Sequence, residues 1–96
     1  MIVHIVMFKF KDENKQENLL VTKSKLEELS SKIPMLEKME VGIDFNKSER
    51  AFDLSLYSTF ATKDDLKAYA IHPAHLEVVE FIKKVTEVSK VVDYEI

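Results

Sequence analysis

At 96 residues the chain has room for one domain with a single core, spanning 1–96, since a chain of this size buries only about two-thirds of its unfolded surface. Hydrophobic residues at 46% and charged residues at 32% exclude intrinsic disorder, and a formal charge of -3 gives no basic footprint for nucleic acid or an anionic membrane surface. The absence of cysteine removes disulfides and thiolate chemistry and fits a cytoplasmic setting, while a single glycine, Gly42, excludes glycine-rich phosphate loops.

The first stretch, residues 2 to 10, is rich in β-branched and aromatic types and apolar on both alternations. Ile2, His4, Val6, Phe8 and Phe10 share one side, and Val3, Ile5 and Met7 the other. It is far shorter than the roughly 20 residues of a membrane span and lacks the basic flank of a signal peptide, so it reads as a strand. Asn14 with Glu17 three positions on has the form of a capping arrangement. A helix from about 15 to 33 follows, with Leu19, Thr22, Leu26, Leu29 and Ile33 on one stripe, and Pro34 ends it. Met39, Val41, Ile43 and Phe45 then alternate with polar residues as a half-buried strand, and a polar connector leads to a second one carrying Phe52, Leu54, Leu56 and Phe60. Thr62 and Asp65 cap a short helix that Pro73 kinks or restarts near His72. From Pro73 to about Thr86 the stripe His75, Val78, Val79, Ile82 and Val85 faces inward, and Val88 to Ile96 form the last strand.

Strand, helix, strand, strand, helix, strand is the α+β, ferredoxin-like βαββαβ order, a four-stranded antiparallel sheet with its helices on one face. The uncovered face would carry Val3, Ile5 and Met7 with Val92 and Tyr94. An apolar patch of that size is unusual in a monomer, so a homodimer packed sheet to sheet is expected.

Read in order, His4, Phe8-Lys9-Phe10-Lys11, Ile33-Pro34, Gly42, Phe60, Tyr69-Ala70-Ile71-His72-Pro73-Ala74-His75 and Asp93-Tyr94 resemble the stress-responsive A/B barrel domain (Dabb) family over essentially the whole chain. The most specific piece is His-Pro-x-His preceded by a tyrosine. The resemblance implies a dimeric α+β barrel and a family running from plant stress-tolerance proteins to a plant polyketide cyclase. In that cyclase the second histidine acts as general base and the tyrosine assists an intramolecular aldol closure, without metal or organic cofactor. The matching residues here are His75 and Tyr69. The bulky aromatics that the cyclase places on its first helix are matched by Thr22, Lys23 and Leu26, which points to a different substrate.

The chemistry suits those two residues. A neutral imidazole can take a proton from carbon beside a carbonyl, and a phenol can donate to the developing enolate oxygen. A pocket for a small hydrophobic ligand is expected between sheet and helices, lined by His4, Val6, Phe8, Leu26, Leu54, Leu56, Tyr69, Ile71, His75, Val79 and Val91. His72 reads as a helix cap. No third ligand is spaced to join His72 and His75 on a metal, so neither metal nor cofactor is expected. Three readings stay open: a small-molecule-binding homodimer acting as a cofactor-independent cyclase or lyase, a non-enzymatic stress-related protein, and a monooxygenase-like member of the dimeric α+β barrel superfamily.

Overall fold

The computed structural model describes all residues, 1–96. Its elements are β1 (Ile2–Phe10), α1 (Lys15–Lys32), β2 (Lys38–Ile43), β3 (Leu54–Phe60), α2 (Lys63–Ala70), α3 (Pro73–Val85) and β4 (Thr86–Glu95). The strands form one antiparallel sheet in the order β2-β3-β1-β4, so β1 lies inside and β2 and β4 are the edges. This is the ferredoxin-like arrangement that the element order implies.

The helices cover one face, because the apolar stripes of α1 and α3 need the apolar alternation of the strands. Leu19, Leu26 and Leu29 of α1 and Val78 and Ile82 of α3 join Ile2, Phe8, Phe10, Leu54, Leu56 and Phe60 in a single buried core. Full burial of each such side chain contributes about 1.5–3 kcal/mol. Pro34 forces Ile33 into extended geometry (φ −122°, ψ 101°), and α1 ends there.

Local chemistry departs from the sequence pattern at three places and decides a fourth. Asn14 does not cap α1 with its side chain: its backbone is left-handed (φ 52°, ψ 31°), whereas side-chain capping needs an extended N-cap residue. The alternation of β2 stops short of Phe45, which is 92% exposed. There the Asp44 carboxylate accepts the Lys47 N–H at 2.7 Å and turns the chain, with Lys47 left-handed (φ 52°). Of the kink and the restart expected at Pro73 the chain takes the restart, so α2 and α3 are separate helices. Finally, β4 begins at Thr86 directly after α3, and a register shift between Lys9 and Phe10 pairs Thr86 with Phe10.

The uncovered face of the sheet carries Met7, Val92 and Tyr94, all exposed, beside half-buried Ile5. Val3 differs from expectation. It is fully buried within the protomer, between its cross-strand neighbours Thr59 and Tyr94. No helix of the chain is long and apolar enough to cross a membrane.

Candidate functional site

His4 sits on the covered face of β1, where the register sets it between Ser58 of β3 and Asp93 of β4. The Asp93 carboxylate hydrogen-bonds His4 Nδ1, and the Ser58 hydroxyl donates to the His4 carbonyl at 3.1 Å. A carboxylate at Nδ1 accepts the proton there, which leaves Nε2 with the lone pair of the neutral ring.

His75 enters from the first turns of α3. The break between α2 and α3 comes at Pro73, which occupies the first turn of α3, and His72 caps that helix, its Nδ1 accepting the Ala74 N–H at 3.1 Å. His75 Nδ1 donates to the Ala70 carbonyl at 3.1 Å, again freeing Nε2. Burial holds the His75 pKa below the ordinary 6.5, the Ala70 hydrogen bond partly opposes this, and the neighbouring His4 and His72 add to the depression. The ring is therefore neutral near pH 7 and carries a basic nitrogen.

Tyr69, the last inward residue of α2, is 1% exposed. Its ring lies 4.3 Å from His75, 5.0 Å from Phe60 and 6.3 Å from His4, centroid to centroid. Burial pushes its hydroxyl well above the ordinary 10.0, so the phenol keeps its proton, and no protein group pairs with that hydroxyl. The hydroxyl of fully buried Thr22 on α1 is likewise unpaired.

A cavity of about 360 Å³ opens between the sheet and α1 and α3. Its wall includes His4, Val6, Phe8, Leu26, Leu56, His75, Val79 and Val91, so the fold brings these side chains together. Three residues expected in the wall lie elsewhere. Tyr69 packs behind the His75 ring, Leu54 is buried in the core at the Phe8 and Ile43 positions of the sheet, and Ile71 is 74% exposed in the link between α2 and α3. Val78, Ile82, Lys83, Thr86 and Ser89 complete the wall. Val78 and Ile82 belong to the inward stripe of α3, whereas Thr86 and Ser89 arrive through the early start of β4.

A second concavity, about 250 Å³, lies among Lys15, Asp44, Lys47 and Asp53. Its charges already answer one another, with Lys15 3.5 Å from Asp53 and the Asp53 carboxylate accepting the Phe10 N–H at 2.7 Å. The apolar cavity with two imidazoles on its wall is the stronger candidate for ligand chemistry.

Both the sequence and the fold have relatives. The profile described as Stress responsive A/B Barrel Domain, Dabb, matches residues 2–96. The chain belongs to this family. It is 33% identical over 79 residues to a stress-response A/B barrel domain-containing protein of Arabidopsis thaliana; the match takes in 82% of this chain and 30% of that protein, so this chain spans under a third of that relative's length. A solved dimeric protein of ferredoxin-like fold from Bacteroides fragilis superposes with a TM-score of 0.86 at 37% identity, covering 99% of this chain and 95% of that one. Hydroxynitrile lyase from Passiflora edulis superposes with a TM-score of 0.86 at 23% identity, covering 97% and 90%, a likeness of fold alone. The Dabb assignment agrees with the His-Pro-x-His segment and with the four-stranded sheet.

Proposed function

We propose that this Dabb domain binds a small, largely apolar carbonyl compound and acts as a cofactor-independent lyase or cyclase. His75 is the general base. What carries the reading is the wall of the 360 Å³ cavity, where a half-buried imidazole, kept neutral and with Nδ1 tied to Ala70, lies among apolar side chains.

In the proposed reaction His75 Nε2 takes a proton from the carbon next to the carbonyl, giving an imidazolium and an enolate. The enolate carbon attacks a second carbonyl of the same molecule, a carbon–carbon bond forms, and the resulting alkoxide recovers the proton from the imidazolium. The reverse sequence is a lyase. Tyr69, protonated and packed behind the His75 ring outside the cavity wall, is proposed to hold that imidazole in place rather than to touch the ligand. His4, oriented by Asp93, is proposed to accept a hydrogen bond at Nε2 from an enol or hydroxyl group of the ligand, and Val6, Phe8, Leu26, Leu56, Val79 and Val91 to hold the apolar body. Leu54 and Ile71 have no part in it.

The acting unit is proposed to be a homodimer through the uncovered sheet face. Exposed Met7, Val92 and Tyr94 on that face support this, as does the dimeric Bacteroides fragilis relative. The test is a thermal-shift series with aryl alkyl ketones and 1,3-diketones, since a ligand that binds only the native state raises its unfolding temperature. A concentration-dependent rise that Leu26→Trp abolishes is the expected result. No rise with any compound of the series would refute the site.

A further inference from the structure

Gly42, one residue before the end of β2, stands there for no reason internal to the protomer. Its φ is not positive, and the β2–β3 register runs unbroken from Lys38 to Ile43, so neither a left-handed residue nor a bulge requires it. A Cβ built on it would meet nothing closer than Ser55 Oγ at 4.0 Å. Any β-branched residue would suit the strand better. The remaining reason for glycine in a strand is close approach by another molecule.

The direction of that approach follows from the register. Gly42 pairs with Ser55, and Ser55 pairs with Met7, so the three form one row on the uncovered face of the sheet. In the adjacent row stand Glu40, Tyr57, Ile5 and Val92. The surface therefore steps down from Tyr57 into a notch over Gly42 and Ser55. A hollow of about 350 Å³ lies there, rimmed by Met7, Phe45 and Phe52, and Phe45 is 92% exposed.

We propose that this notch is a socket for a second copy of the chain, seated closely enough that any side chain at position 42 would collide with it. The inference rests on the sheet-to-sheet dimer proposed above and extends it to a particular site. Continuity argues for the second copy as occupant: Met7 belongs both to the rim and to the exposed apolar patch, with Val92 and Tyr94, that the dimer would cover. In a two-fold dimer the same patch serves both copies, so each contact there counts twice.

Sedimentation equilibrium on the full chain and on Gly42→Leu and Gly42→Ala tests this. Gly42→Leu should weaken the dimer about tenfold or more while the circular dichroism of the folded protomer is kept, because the side chain has room in one copy and none between two. Gly42→Ala should weaken it less, and it decides the matter if Gly42→Leu does not fold. A dimer of unchanged affinity in the folded variants overturns the socket alone. A wild-type chain that is monomeric throughout overturns the dimer, and the socket with it.

Discussion

The rings of Tyr69 and His75 lie against each other with centroids 4.3 Å apart and planes inclined by 42°. Tyr69 lies in the last turn of α2 and His75 in the first turn of α3, so the break at Pro73 is what stacks them. The stack holds the imidazole on the cavity wall while the Ala70 carbonyl fixes its tautomer.

Removing only the Tyr69 hydroxyl separates packing from chemistry. Tyr69→Phe keeps the stack and deletes an unpaired buried oxygen, so its stability should change by less than about 1 kcal/mol. Turnover of a substrate should be little changed, because the ring that supports His75 stays in place. Tyr69→Ala should instead cost about 3–5 kcal/mol in denaturant unfolding.

The depressed pKa of His75 makes stability depend on pH in a definite direction. A histidine harder to protonate in the folded chain than in the unfolded one contributes stability that is present above the unfolded value near 6.5 and is lost as pH falls toward the folded one. Unfolding midpoints should therefore drop more steeply below about pH 6.5 for the wild type than for His75→Gln. Parallel curves would show that His75 is not held neutral by its surroundings.

Leu26 and Ile71 are both apolar residues that the sequence points to for the pocket wall, yet they should behave oppositely. Leu26, 1% exposed, belongs to the core and to the cavity wall, so Leu26→Ala should cost about 2–5 kcal/mol and enlarge the cavity. Ile71, 74% exposed, should tolerate alanine within about 0.5 kcal/mol. Chemical denaturation of the two variants checks both values.

What the sequence shows of this fold and what it hides have physical causes. The α1 stripe of Leu19, Leu26 and Leu29 is readable because helical period and burial coincide, and the Pro73 restart because proline has a fixed φ and no donor. Phe45 and Asn14 mislead because a side-chain turn at Asp44 and a left-handed backbone at Asn14 override periodicity within a residue or two. Val3 misleads because its burial comes from strand neighbours that are distant in sequence. The pairing of His4 with Asp93 and the contribution of Thr86 and Ser89 to the cavity both depend on β1–β4 register, which no local pattern specifies.

Capping by His72 gives a prediction that isolates it from the chemistry. His72→Ala removes the acceptor of the Ala74 N–H and should cost about 0.5–2 kcal/mol, with little effect on turnover in the folded population. His72→Asn should restore most of the loss, which thermal unfolding of the two variants would show.

The most direct measurement is hydrogen–deuterium exchange at the carbon beside the carbonyl of an aryl alkyl ketone in deuterated buffer, followed by NMR, with wild type and His75→Gln. Proton abstraction by His75 predicts exchange faster than in buffer with the wild type and at the buffer rate with the variant, whose unfolding temperature stays close to that of the wild type. Exchange no faster than buffer with the wild type, or equally fast with His75→Gln, would contradict it.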